Sequence, residues 1–187
     1  MLETRNTFSE QLIQKIKKDR EKNRIDYVHP RNQIQDGFIV VNYRKREMEK
    51  RVLMDGRMQM TIPKDWYLKE QKGSGKFLYV SPYEKEILLC EVRECEKYKT
   101  IEREVTEILQ REPFTILEQK TLLNKQQHPF RCISLTDCKE RYMVLFECSI
   151  FSKVIKGVFM MHYFRKKAWE KVIEQMLEHA KIGEVND

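Results

Sequence analysis

Alternating apolar and polar positions predict that strands make up most of this chain. Residues 58–62 alternate, and Pro63 ends the run because a proline has no amide hydrogen to donate to a neighbouring strand. The Asp55-Gly56 pair lies between two apolar runs and predicts a hairpin over 52–58. Further strands are predicted at residues 38–41, 77–80, 87–92 and 114–123, with a charged segment at 44–51.

Trp66 begins the segment that follows the strand at 58–62. We interpret Ile62 as the residue with which that strand ends in the core. We interpret Trp66 as packing over a sheet edge or over the rim of the core. The alternative, in which the indole stacks on a ligand, stays open at this point.

Residues 130–164 are predicted to form a three-stranded meander. A turn at 152–153 would place Phe146 opposite Phe159 on a single apolar face. That face comprises Val144, Phe146, Cys148, Ile150, Ile155, Phe159, Met161 and Tyr163. The opposite face is half apolar and comprises Met143, Leu145, Phe151, Val154, Val158, Met160 and His162, together with Glu147 and Lys156.

The register of the first meander strand follows from the same face. Pairing Ile133 with Cys148 extends the apolar face, whereas a slip by one residue would place Ile133 opposite Glu147. Glu147 is the one unusually placed acid, and we interpret it as a partner for Lys156, its cross-strand diagonal neighbour, at the sheet margin.

Three helices are predicted from apolar stripes. The first starts with a capping box at residues 7–10 and carries one narrow stripe, formed by Phe8, Leu12, Ile13 and Ile16. The second is capped by Thr100 and ends before Pro113. The third runs from about Arg165 to Ile182, and its broad stripe can pack on the apolar face of the meander.

These elements predict an α+β fold, with a twisted antiparallel β-sheet flanked by α-helices. We expect residues 1–48 to form an N-terminal helix and linker, and residues 49–187 to form the sheet domain. An apolar fraction of 41% is sufficient for a core in a chain of 187 residues.

The distribution of charge changes the predicted function only slightly. The net charge is +7, and residues 1–56 hold 13 Lys/Arg against 9 Asp/Glu. The basic clusters at 15–24 and 44–51 are interrupted by acids, a pattern typical of a solvated face rather than of a nucleic-acid footprint. A nucleic-acid-associated protein that uses these two clusters remains an alternative.

Residues with potential chemistry form no recognisable catalytic or metal site. A metal site at His128, Cys132 and Cys138 matches no standard spacing, and the loop at 72–76 lacks the spacing of a phosphate-binding loop. Cys90, Cys132 and Cys148 lie in apolar or alternating runs, so we expect buried thiols there. We therefore expect no cofactor and no enzymatic activity, while an unrecognised active site remains open.

The order of the elements, together with certain motifs, resembles the PsbP/DcrB-like superfamily, which includes the Ran-binding Mog proteins. The matching features are Met60-Thr61-Ile62-Pro63-Lys64-Asp65-Trp66, the helix at 101–109, the meander at 130–164 and the closing residues 173–182. The resemblance covers about residues 52–183. It implies a PsbP-like α/β/α sandwich and a binding role, and it supplies no site residues.

The leading hypothesis is a noncatalytic cytosolic protein-interaction module. It would be an adaptor, accessory or chaperone-like factor, and a bacterial secretion or toxin–immunity system is one setting for it. Either the N-terminal helix folds back onto the half-apolar sheet face, or a partner protein or a second copy covers it. The residues expected to contact a partner are Phe8, Leu12, Ile13, Ile16, Leu145, Val158 and Met160.

Overall fold

Two antiparallel sheets and two helices form the described part of the chain. The computed structural model describes residues 34, 36–41, 44–54, 56–72, 75–82, 85–95, 100–137 and 140–183. The strands are β1 (Phe38–Val41), β2 (Arg44–Leu53), β3 (Met58–Pro63), β4 (Tyr67–Lys72), β5 (Lys76–Val80), β6 (Glu86–Glu94), β7 (Thr115–Leu123), β8 (Pro129–Thr136), β9 (Arg141–Ile150), β10 (Lys153–His162) and β11 (Lys181–Ile182). The helices are α1 (Ile101–Arg111) and α2 (Lys166–Glu178), with a 3₁₀ turn at Tyr163–Arg165 before α2.

The larger sheet has seven strands in the order β4-β5-β6-β10-β9-β8-β7, and the smaller has the order β1-β2-β3-β11. Every strand pairs with its neighbours in the antiparallel sense. The predicted α+β class is confirmed. The predicted N-terminal helix, with Phe8, Leu12, Ile13 and Ile16, lies outside the described residues.

Helix α2 packs on the face of the larger sheet that we call the inner face. Its buried side chains join one core cluster with side chains of both sheets. Trp66 is 1% exposed, and its ring centroid lies 5.5 Å from that of Trp169 in α2. The packing interpretation of Trp66 is therefore confirmed. Ile62, four residues earlier in the sequence, is also fully buried, as predicted.

The predicted pairing of the last two meander strands is wrong by two residues. The turn lies at Phe151-Ser152, so Phe159 pairs with Val144 rather than with Phe146. The error arose because Phe151 adopts a positive φ of 50°, a turn conformation that bulky side chains rarely take. A shift of two residues leaves both faces unchanged, and the predicted apolar face forms the inner face except at Tyr163, which begins the 3₁₀ turn and is 36% exposed.

The predicted register of β8 is wrong, and here the faces are exchanged. Ile133 pairs with Leu145, and Cys132 pairs with Phe146. The prediction assumed that only one face of the meander is buried. Helix α1 covers the other face, which we call the outer face, and Ile101 of α1 lies in one cluster with Ile133 there.

Two boundaries also differ from the prediction. The last helix ends at Glu178 rather than near Ile182, because residues 181–182 form β11 and pair with β3. The domain boundary drawn between residues 48 and 49 falls inside β2. Residues 38–48 are part of the smaller sheet, and their apolar side chains, such as Ile39, lie in the main core.

Candidate functional site

A row of alternating charges crosses the outer face of the larger sheet. Glu91, Lys156, Glu147 and Arg131 lie side by side on β6, β10, β9 and β8. Opposite charges on directly paired residues stabilise a sheet and fix its register. This charged row is the feature to which the N-terminal half of α1 attaches.

Glu147 is the buried centre of the charged row. Its side chain is 4% exposed, and Nη1 of Arg131 lies 2.8 Å from one carboxylate oxygen. The other oxygen accepts a hydrogen bond of 3.0 Å from the backbone N–H of Ile101, the first residue of α1. The sheet therefore caps this helix with a carboxylate, where the helix dipole favours negative charge.

Thr100 provides the second cap of α1, as predicted. Its hydroxyl oxygen accepts a 3.4 Å hydrogen bond from the N–H of Arg103. Lys156, which is 7% exposed at its side chain, forms ion pairs with Glu104 of α1 and with Glu91 at 3.3 Å. The N-terminal half of α1 is thus tied to the sheet by polar contacts, and Ile101 and Val105 are buried beneath it.

The C-terminal half of α1 leaves an open groove over the outer face. The groove has a volume of about 420 Å³. Its floor is apolar, and its walls are charged. The lining side chains are Leu89, Met143, Leu145, Val158 and Ile108 on the floor and flank, with Glu91, Glu104, Glu107, Arg111, Glu112 and Lys156 around them.

A second cavity continues the outer face beyond this groove. It has a volume of about 580 Å³ and contains Met160 and Ile87. Because Met160 pairs with Ile87 and with Met143, these three side chains form the next apolar row after Leu89 and Val158. We call these five half-buried residues the outer strip: Ile87, Leu89, Met143, Val158 and Met160.

The predicted contact residues on the sheet lie in different environments. Val158 lines the groove, and Met160 lines the second cavity. Leu145 is 6% exposed because α1 covers it, so only a small part of its side chain reaches the groove. Sequence reasoning missed Ile87, Leu89 and the charged row, although alternation in residues 86–91 places Ile87, Leu89 and Glu91 on one face.

Buried thiols in the described residues lack nucleophilic character. Burial raises the pKa of Cys132 to about 12 and that of Cys148 to about 11, and it raises the pKa of Cys90 further. Among the described residues, no three His, Cys, Asp or Glu side chains are grouped so that they could hold a metal ion. Cys138, part of the metal site considered above, lies outside them. Within the same residues, no helix combines the length and apolarity needed to cross a bilayer.

The basic cluster at 44–51 lies in β2, where acids accompany its cations. Arg46 forms an ion pair of 3.3 Å with Asp65, and Arg51 pairs with Glu49. Glu47 pairs with Lys64 at 2.9 Å. The other cluster, residues 15–24, lies outside the described part of the chain, so nucleic-acid binding through it stays a prediction.

Replacing Glu147 by alanine is expected to lower the free energy of unfolding by about 1–3 kcal/mol, because the Ile101 N–H loses its acceptor. Urea unfolding followed by circular dichroism measures the change. Glu118→Ala, which removes an exposed carboxylate from β7, should cost about 0.5 kcal/mol or less. Equal losses in the two variants would contradict the capping role.

Glu147→Gln tests the electrostatics of the same site. Burial raises the pKa of Glu147 above its ordinary value of 4.5, and the Ile101 N–H and Lys156 oppose this shift. The native state therefore holds the proton to higher pH than the unfolded state, so stability from this group falls as pH rises above about 4.5. Wild type should lose stability relative to Glu147→Gln as pH rises above about 4.5. A difference that does not change with pH would contradict this.

The chain is similar in structure to known proteins. It has a PsbP-like fold. The solution structure of cyanobacterial PsbP (CyanoP) from Synechocystis sp. PCC 6803 matches with a TM-score of 0.57 at 10% sequence identity, covering 73% of this chain and 92% of that chain. The resemblance predicted from the sequence is therefore confirmed at the level of the fold.

Two further structures match less closely. A Bacteroides thetaiotaomicron protein gives a TM-score of 0.41 at 10% identity, with 72% of this chain and 48% of that chain covered. A Pseudomonas aeruginosa protein of unknown function gives 0.42 at 9% identity, with 70% and 94% covered. No protein-family profile matches the chain, and no curated protein matches it.

Proposed function

We propose that this protein is a noncatalytic protein-interaction module that binds a partner protein on the outer strip. The observation that carries the proposal is the half-buried apolar surface of five neighbouring side chains on the outer face, which α1 covers only in part. Contiguous apolar surface rimmed by charged groups is typical of protein-binding sites.

The edges of the larger sheet favour binding on a face rather than by strand addition. Both edge strands are irregular: β4 has a register shift between Leu68 and Glu70, and β7 has one between Ile116 and Glu118. Bulges and edge charges such as Lys120 discourage another strand from pairing there. A partner would therefore meet side chains of the outer face and not the backbone of an edge.

The apolar outer strip and its charged surroundings support a binding role. An adaptor, accessory or chaperone-like factor in the cytosol fits such a surface, and a bacterial secretion or toxin–immunity system is one setting for it. The PsbP-like fold supports only the architecture of the module, because similarity of fold does not by itself define function.

Met160→Asp is expected to weaken partner binding by tenfold or more, because a charge would be buried at the centre of the contact. The partner is first captured with the full-length protein, then purified, and its Kd is measured by calorimetry. The matched control is Leu123→Asp, an equal change at a side chain 54% exposed on β7, which should alter the Kd by less than about twofold.

Both variants must first show thermal unfolding close to that of wild type. Equal affinity of wild type and Met160→Asp for the partner would reject the outer strip as the binding surface. A partner that binds both aspartate variants weakly would likewise place the contact elsewhere on the molecule.

A further inference from the structure

The turn between β9 and β10 holds an aromatic side chain in an unfavourable backbone conformation. Ile150 pairs with Lys153, so Phe151 and Ser152 form a two-residue loop. Phe151 has a positive φ of 50° and Ser152 does not, which is the pattern of a type II′ turn with its preference for glycine at the first position. Phenylalanine therefore destabilises this turn relative to glycine.

Burial does not offset this strain, because Phe151 is fully exposed. It is the most exposed of the large apolar side chains that the structure describes. The turn itself is anchored to the end of β6, since the N–H of Cys95 donates a 2.8 Å hydrogen bond to the carbonyl oxygen of Ser152. The ring thus projects into solvent from a fixed support, as an aromatic anchor of a protein interface does.

The groove beside α1 is a preformed recess for such a side chain. Both ends of α1 are attached to the sheet, by Glu147 at Ile101 and by an ion pair of 2.8 Å between Glu112 and Arg141. These attachments keep the helix from closing over the apolar floor. An apolar cavity of about 150 Å³ holds a benzene molecule, so a groove of about 420 Å³ has room for a phenyl ring.

The charges around the groove favour an uncharged occupant. Each of its four carboxylates has a cation within the protein: Lys156 pairs with Glu91 and Glu104, Arg103 with Glu107, and Arg141 with Glu112. A cationic group would therefore lose its water there without finding an unpaired carboxylate. A phenyl ring carries no charge and requires no counterion.

Phe151 lies too far from the groove of its own molecule to fill it. Val158, on the groove floor, is five residues beyond Lys153 on β10. Five strand residues span about 17 Å, which is much longer than a phenylalanine side chain. In a second copy related by a two-fold axis that crosses β10 between the turn and the groove, each ring would meet the groove of the other copy, as an isologous contact requires.

We propose that two copies of this chain pair reversibly, with Phe151 of each inserted into the groove beside α1 of the other. The inference rests on the proposed function, because it uses the same outer strip, and it names a second copy as the partner. Two ring insertions form a small interface, so the expected Kd of the dimer is in the range of about 1 µM to 1 mM.

Sedimentation of the full-length protein over a series of concentrations tests the pairing. Wild type should form a dimer that dissociates on dilution, and Phe151→Gly should raise the dimer Kd at least about tenfold. Phe151→Gly should unfold at the same temperature as wild type or higher, because glycine relieves the strained turn. Phe164→Ala removes another exposed ring, which lies outside the groove, and should leave the Kd unchanged.

A wild type that stays monomeric up to about 1 mM would overturn the proposal. Dimerisation of Phe151→Gly with the Kd of wild type would overturn it as well, because the ring would then contribute nothing to the contact.

The groove provides the other half of the test. Leu89→Asp, on the groove floor, should weaken the dimer as Phe151→Gly does, whereas Leu123→Asp on β7 should not. A photoreactive benzophenone side chain placed at position 151 should crosslink to Met143 or Val158 of the other copy. This crosslink decides the matter even where Leu89→Asp does not fold. Crosslinks confined to residues outside the groove would overturn the proposal.

Mixing unlabelled and ¹⁵N-labelled protein shows whether the crosslinks join two copies. Mixed crosslinks support the pairing, and crosslinks within one isotopic species alone overturn it. A monomer whose binding to another protein is weakened by Met160→Asp refutes the pairing and leaves the proposed function intact. A crosslinked dimer, together with binding of a different protein that Met160→Asp leaves unchanged, refutes the outer strip as the site for that protein and leaves the pairing intact.

Discussion

Replacing Trp169 by alanine is expected to lower the free energy of unfolding by about 3–5 kcal/mol. Trp169 is fully buried at the junction of α2 with both sheets and lies against Trp66. The guanidinium of Arg46 covers its ring at 5.7 Å from the centroid. Alanine keeps the helix intact because it has the highest helix propensity, so the loss reports the cavity that remains. Urea unfolding followed by circular dichroism measures the loss.

Three further variants sharpen this test. Lys167→Ala, at an exposed position of the same helix, should change the stability by about 0.5 kcal/mol or less. Trp169→Phe should cost clearly less than Trp169→Ala, because phenylalanine keeps most of the ring and removes an indole N–H without a partner among the described residues. Trp66→Ala alone and with Trp169→Ala should show coupling of about 0.5–1.5 kcal/mol or more. A loss below 1 kcal/mol for Trp169→Ala would contradict this account.

Arg165→Met is expected to cost a similar amount, about 3–5 kcal/mol, for an electrostatic reason. Glu86, at the start of β6, is 1% exposed, and its carboxylate pairs with the Arg165 guanidinium. Without the guanidinium, a carboxylate would stay buried with no compensating charge. Urea unfolding at pH 7 measures the loss.

The double variant Glu86→Leu/Arg165→Met distinguishes the charge from the packing. Replacing both members of a buried ion pair by apolar residues is often neutral or stabilising. We therefore expect the double variant to unfold within about 1 kcal/mol of wild type in the same urea titration. A double variant as unstable as Arg165→Met would show that the shape of the two side chains, and not the uncompensated charge, causes the loss.

Local sequence signals predicted the secondary-structure elements of this chain better than they predicted the pairing of its strands. Thr100 and Pro113 bracket α1, and the observed helix ends two residues before the proline. By contrast, the cations and acids of residues 44–51 concealed β2. Their long side chains form ion pairs within the smaller sheet and to the residues after β3, so a strand forms with little apolar alternation.

Local sequence signals likewise predicted only part of the candidate site. Val158 and Met160 were found because alternation alone places them on one face of β10. The burial of Leu145 depends on where α1 docks, which no local pattern specifies. The charged row requires the register of four strands, and the prediction was two residues out at β10 and three at β8. An error of that size places other residues beside Glu147.

Strand β11, at the C-terminal end of the described chain, pairs with β3 in its N-terminal part. Lys181 and Ile182 pair with Gln59 and Met58, more than 120 residues earlier. On a ribosome adding roughly 5–20 residues per second, β3 would wait on the order of ten seconds for this neighbour. During synthesis the edge of the smaller sheet would be open to mispairing, so chaperones that shield nascent chains should matter more for this protein than for one built from local hairpins.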